Sequence, residues 1–448
     1  MVPPTDEPST SGKTKRIARE IQRESAYRGV SGVVLEAMKL GFTAGHPDWA
    51  NLAQGEPESR SLEGAPSRIE SIELEPEDHA YGPLEGTLEL RTAIANSANR
   101  LYRKDKGSQY GPENVAVAQG GRLCLARALH ALEGRHLAYT RPGYPAWNEQ
   151  LALHAARLQP IAFSTSADDG FRINPERLAQ EIEDKRIRSF LFSNPCDPSG
   201  RVLEDDEQIQ LVRISRERGT VLLAEEPTCH YVYQEDGNPA EAPSSIARHV
   251  EDVEKDPILI FDGLSKNYRY PGWRIGWTLG PSSWIERITA AAIPLDGGPS
   301  RPIQRAAAQV LEPQRADAER EASVRHFAKK RELMLKRLDQ MGIRVPCPPR
   351  GGFYVFGDLS ELPEPFCSAE SFFRRALQKR VVTVPGRSFD VDPGAGNSRS
   401  QEGASDEVRG GHESTSPYEN WMRFSFAPSI DHLRMGLDRL AKMIRESA

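Results

Sequence analysis

The string GLSKNYRYPGWRIGW, from Gly263 to Trp277, holds two groups that can do chemistry together. Lys266 follows the apolar run ILIFDGL, so its amine sits where desolvation favours the neutral, nucleophilic form. Such an amine captures an aldehyde as an imine. Eight positions later, beyond a Pro-Gly turn, Arg274 offers a forked cation suited to a phosphate. A second phosphate grip stands in VAQGGRLCLARAL, where an apolar run ends at Gly120-Gly121 and a helix-prone stretch begins. Amides of Gly121 and Arg122 at a helix start point at an anion with the helix dipole behind them.

Other segments fall in a definite order: NLAQGEPE at Gly55, AYGPLEG at Tyr81, RPGYPAW at Tyr144, SNPCDPSG at Asn194, TVLLAEEPTCHYVY at Glu225, GGFYVF from Gly351 and NWMRFSFA at Arg423. From about Asn51 to the C-terminus these motifs resemble those of class I and II aminotransferases. These belong to the aspartate-aminotransferase superfamily of fold-type I pyridoxal-phosphate enzymes. The resemblance implies pyridoxal 5'-phosphate as cofactor and Lys266 as the catalytic amine that holds it as a Schiff base. It further implies a cofactor site of Gly120, Gly121, Arg122, Tyr144, Asn194, Glu225, Thr228, Ser265 and Arg274. Tyr144 would stack on the ring, Asn194 would bond its phenolic oxygen, Glu225 would pair with its pyridine nitrogen, and Ser265 would touch the phosphate. Tyr81 would reach the phosphate of a neighbouring subunit, which makes a homodimer the expected assembly. Arg423 would clamp the substrate α-carboxylate, beside Asn194 and a covering segment at Gly55.

Three positions depart from the family pattern: Glu225 stands for the usual aspartate, Thr228 for a tyrosine and Gly263 for a phosphate-binding serine. Thr228 is too short to reach the phenolic oxygen as a tyrosine does, and Tyr231 or His230 is the nearby substitute. Glu226 points to the face opposite Glu225, because neighbours on an extended chain alternate. The implied reaction moves an amino group between an L-amino acid and a 2-oxo acid by a ping-pong route. The alternative on the same fold is a pyridoxal-phosphate-dependent lyase, synthase or decarboxylase. A third reading is a cofactor-binding regulator, but Met1 to Ala50 offers too little chain for a DNA-binding module. Arg269, Arg301 or Arg387 is available for a second substrate carboxylate.

Positioning these groups calls for an α/β fold. NVAVAQGG, HLAYTRP, SFLFSNP, TVLLAEEP and ILIFDGLSK are short apolar runs separated by helix-length segments, the pattern of buried parallel strands. Each leads into polar residues and Gly or Pro, so the chemistry gathers beyond the carboxyl ends of the strands. After Val202, acids Glu204 to Glu207 and then Arg213, Arg216 and Arg218 before Gly219 predict a helix with a glycine cap. Gln304 to Met341 predicts a long helix interrupted at Pro313 that joins two domains. Ile430, Leu433, Leu437, Leu440 and Ile444 predict a final amphipathic helix. The resemblance makes the fold aspartate-aminotransferase-like: a large domain with a mostly parallel seven-stranded sheet between helices, plus a smaller α+β domain. The expected division is a loose tail at 1–15, a segment 16–75 belonging with the small domain, a large cofactor-binding domain at 76–303, and a small domain at 304–448. The small domain carries a flexible Gly- and Ser-rich insertion at about 390–420.

Bulk properties agree with a soluble enzyme. The 448 residues suffice for such a division, and 58 basic against 64 acidic residues give no sign of a polyanion binder. No nucleic-acid or membrane partner is therefore expected. Cys124, Cys196, Cys229, Cys347 and Cys367 are odd in number and show no metal-ligand spacing, so free thiols, no metal and a cytoplasmic location are expected. No signal-like segment and no run of about 18 apolar residues occurs.

Overall fold

The computed structural model describes residues 29–391 and 416–446. The expected tail at 1–15 and most of the expected 390–420 insertion lie outside the described residues. Twelve strands are present among these residues: β1 Ala50–Asn51, β2 Val115–Ala118, β3 His136–Arg141, β4 Gln159–Ser164, β5 Ser189–Ser193, β6 Val221–Glu225, β7 Ile258–Gly263, β8 Gly276–Leu279, β9 Tyr354–Asp358, β10 Val381–Val382, β11 Val384–Pro385 and β12 Trp421–Ser425.

Seven of them form the central sheet in the order β2-β8-β7-β6-β5-β3-β4. Within it β8 runs antiparallel to both neighbours, and the remaining pairs are parallel. Every residue of β2, β5 and β6 is buried, as expected for strands covered on both faces. Alternation sends neighbours to opposite layers: Phe190 joins a core with Leu90, Leu211 and Ile260, while Leu191 joins one with Leu125, Trp147 and Leu259.

The helix foreseen after Val202 runs Asp205–Arg218, with Asp205, Asp206 and Glu207 in its first turn and Gly219 at φ +63° closing it. Gly219 supplies the left-handed conformation that ends a helix without a Cβ penalty. The interruption at Pro313 separates the helix Arg301–Val310 from the helix Pro313–Gln340. Ala316 of the longer helix packs into the large sheet's core. Val324, Phe327, Met334 and Leu338 pack into a second core.

That second core is built on the antiparallel sheet β11-β12-β9 and the parallel pair β1-β10. Trp49, Ala50 and Leu52, from before the large sheet, pack there as well. The last helix, Ile430–Arg445, buries Leu433, Leu437, Leu440 and Ile444 on one face. No helix of the described residues is long and apolar enough to cross a membrane.

Candidate active site

The polar residues singled out in the sequence gather along one edge of the large sheet. Gly120 follows β2, Tyr144 follows β3, Asn194 follows β5, Glu225 ends β6, and Lys266 lies three residues beyond β7. This is the carboxyl edge, where an open α/β sheet leaves its strand ends free to bind. The Lys266 ammonium donates to the Gly55 carbonyl, which brings the N-terminal segment over the site. The Tyr231 hydroxyl donates to the Lys266 carbonyl at 2.9 Å and fixes the backbone that carries the amine. Burial pushes the Lys266 amine down to about 8; the Glu56 charge opposes this, and Arg122 and Arg274 reinforce it.

Around Gly120 the chain is packed so closely that no side chain fits. Gly120 has φ +92°, and a Cβ there would lie 2.2 Å from Arg274 Nη2. A Cβ on Gly276 would meet the Gly120 carbonyl carbon and the Gly121 nitrogen at 2.7 Å. The Arg274 guanidinium is thus laid against the start of the helix Gly121–Ala131. From there Nη1 donates to Ser265 Oγ at 3.2 Å and to the Pro271 carbonyl at 2.8 Å. First-turn amides of a helix lack intrahelical acceptors, so two cationic side chains, a hydroxyl and amides converge on one small volume. The second cation is Arg122, whose Nη2 donates to the Tyr144 hydroxyl at 2.9 Å. Gly263 stands where the family pattern has a serine because a Cβ there would lie 2.6 Å from the Ile275 carbonyl oxygen.

Glu225 is buried at the end of β6, where Trp147 Nε1 donates to its Oε2 at 2.7 Å. Burial raises its carboxyl to about 7, although the Trp147 bond pulls the other way. Glu226 faces the opposite side and accepts from the Ile246 amide at 2.9 Å, as alternation requires.

Several expected groups have partners within the protein or lie on its surface. The Asn194 amide is committed to the scaffold: Nδ2 donates to Ser244 Oγ at 3.2 Å, and Oδ1 accepts from the Leu203 amide at 3.0 Å. Three residues on, Asp197 meets Arg423, with both carboxylate oxygens 2.8 Å from Nη1. The turn therefore brings Asp197 to Arg423, a contact the sequence reading missed. Nothing in the local spacing signals a partner 226 residues away.

Thr228 is buried, with Oγ1 3.5 Å from an ideal Cβ on Gly352. Tyr231 is held by the Lys266 carbonyl, and the buried His230 ring packs edge-on to Tyr268. Tyr81 is 99% exposed in the single chain. Of the three spare arginines, Arg269 is buried against Glu319 at 2.7 Å, Arg387 pairs with Glu370 at 2.9 Å, and the Arg301 stem lies over Gly82.

Pyridoxal 5'-phosphate fits this donor set. The Gly120 cradle closed by Arg274 matches a phosphate, the amine depressed to about 8 matches an aldehyde, and the buried carboxyl held by Trp147 matches a ring nitrogen. Among the described residues no group of three or more His, Cys, Asp or Glu is arranged for a metal ion.

Known proteins resemble the chain over nearly its whole length. An aspartate aminotransferase of Pyrococcus abyssi is 24% identical over 90% of this chain and 94% of its own. An aspartate/prephenate aminotransferase of Thermus thermophilus is 25% identical over 96% of this chain and 98% of its own. Among solved structures, the Thermus thermophilus aspartate aminotransferase with maleate superposes with a TM-score of 0.72, at 23% identity over 93% of this chain and 96% of that one. That likeness shows the aspartate-aminotransferase fold. The family model for aminotransferase class I and II matches residues 47–439, a span that takes in every group converging on the sheet edge. With fold, chemistry and family model in agreement, the chain belongs to the class I and II aminotransferases.

Proposed function

We propose that this aminotransferase carries pyridoxal 5'-phosphate on Lys266 and transfers an amino group between an L-amino acid and a 2-oxo acid in two half-reactions. The observation that carries the reading is the amine of Lys266, half-buried, depressed to about 8 and set at the same sheet edge as the Gly120 and Arg274 cradle. Gly121, Arg122, Ser265 and Arg274 would hold the phosphate, Tyr144 would cover the ring, and Glu225 would face its nitrogen. When bound, the cofactor supplies an aldehyde that takes the amino group and a ring that draws electrons from the neighbouring carbon. Lys266, once its amine is free, would move a proton from the substrate's α-carbon to the carbon that carried the aldehyde, and would make the reverse transfer in the second half-reaction. An amine that titrates near working pH does both jobs, because it is present as base and as acid. Glu225 holds a proton toward the ring nitrogen, and its bond from Trp147 keeps the carboxylate form accessible near pH 7. Gly55 lies against both the amine and Tyr354: its carbonyl accepts from Lys266, and a Cβ on it would overlap the Tyr354 hydroxyl.

The proposed assembly is a homodimer with shared sites. In its support, Leu74, Tyr81 and Leu88 are 62%, 99% and 61% exposed along one segment, an apolar surface suited to a second copy. The proposed location is the cytoplasm, which suits cysteines that are all free. Incubating the cofactor-loaded enzyme with each common amino acid tests the activity. One oxo acid per active site without acceptor, and turnover only when a second oxo acid is added, is the expected result. Ammonia released without an acceptor would replace transamination by a lyase reaction.

A further inference from the structure

Arg423 is the cation that the transaminase reading assigns to a substrate carboxylate, yet both of its terminal nitrogens are already engaged. It lies on β12, paired with Val384 and Phe356, and is 1% exposed. Nη1 is met by both oxygens of Asp197 at 2.8 Å, and Nη2 donates to the Ala53 carbonyl. The rings of Tyr354 and Phe389 flank the guanidinium at 4.2 and 4.8 Å from its carbon. Nε is buried without an acceptor. An incoming carboxylate therefore meets a fork whose two terminal nitrogens are already taken.

We propose that Asp197 is a specificity-determining residue: as the resident counter-ion of Arg423 it competes with the substrate's α-carboxylate and lowers the affinity that this carboxylate contributes. The inference rests on the transaminase reading and concerns the carboxylate subsite of that reaction. A substrate carboxylate binds Arg423 only by taking the place of Asp197, which leaves that anion without its partner in a mostly buried position. A carboxamide or simple amine makes no such demand. The pair also carries no net charge, so the long-range pull that a lone guanidinium exerts on an anion is cancelled. Asp197 faces the reacting groups as well as Arg423, since its charge acts on Lys266, Glu225 and Tyr144.

The test uses unreactive probes, 3-phenylpropanoate and 3-phenylpropanamide, whose binding to the cofactor-loaded enzyme is measured by calorimetry. The wild-type enzyme is expected to bind the acid no more than threefold tighter than the amide. Asp197→Asn is expected to raise that acid-to-amide ratio at least tenfold, and a smaller rise overturns the proposal. Asp197→Ala is read in the same way if the asparagine variant does not fold. Should neither variant fold, the wild-type ratio decides: above tenfold in favour of the acid overturns the proposal, and below it supports it. Because these probes have no amine to transfer, failure of transamination itself shows separately, as the absence of any carbonyl product from every amino donor.

Discussion

Replacing Trp147 by Phe removes the hydrogen bond that holds the Glu225 carboxylate, and its consequence can be worked out before measurement. Trp147 Nε1 donates to Glu225 Oε2 at 2.7 Å, with both side chains buried. A bond to a charged acceptor contributes about 1.5–3 kcal/mol, against about 0.5–1.5 for a neutral pair, so its loss disfavours the ionised form by about 1–1.5 kcal/mol. At about 1.4 kcal/mol per unit, Glu225 moves up by roughly one unit from its present value of about 7. The folded value already lies above the usual 4.5, so this group's contribution to stability is complete below 4.5 and is lost as pH rises through the folded value. In Trp147→Phe the loss continues about one unit further. Urea denaturation of the cofactor-free protein at pH 6 and pH 9 reads this directly. The variant loses a fixed amount at pH 6, from poorer packing and the neutral bond, and about 1–1.5 kcal/mol more at pH 9. Equal losses at the two pH values would refute the argument that Trp147 tunes the carboxylate.

Other expectations follow from the same geometry. Gly120→Ala places a Cβ 2.2 Å from Arg274 at φ +92°, so it costs about 1–2 kcal/mol in backbone strain and displaces Arg274, and equilibrium dialysis should show pyridoxal 5'-phosphate bound at least tenfold more weakly. Reductive methylation of the cofactor-free protein, read by mass spectrometry at Lys266, should rise through pH about 8; a midpoint at the ordinary lysine value of about 10.4 would contradict the burial argument. Tyr81→Ala should change monomer stability by no more than about 0.5 kcal/mol, because the side chain is 99% exposed, while sedimentation shows a weaker dimer.

Most of the large sheet was legible because its strands announce themselves. β2, β3, β5, β6 and β7 are apolar runs that end in turn residues, and period and length suffice to find them. β4 and β8 carry weaker signals. QPIAFS is an edge strand whose residues are mostly exposed or half-buried, and Gly276–Leu279 sits inside a stretch dominated by its Pro-Gly turn and arginine. In the site, Gly120 was legible from a strand-turn-helix connection, and Lys266 and Arg274 from the short connection between β7 and β8. Asn194 and Asp197 were not distinguished. Both lie in one Pro-rich turn, and only the folded chain shows that Asn194 bonds Ser244 and Leu203 while Asp197 turns to Arg423. The excluded serine at Gly263 has the same origin, since the carbonyl that fills its space belongs to the β8 side of a strand pairing.

One measurement bears most directly on the whole account. Protein incubated with pyridoxal 5'-phosphate is reduced with borohydride, digested and mapped by mass spectrometry, with Lys266→Ala in parallel. A single stoichiometric adduct on the peptide containing Lys266, absent from the variant, is the predicted result. Adduct distributed over exposed lysines, or retained by the variant, would contradict the assignment of the Lys266 amine as the cofactor's anchor.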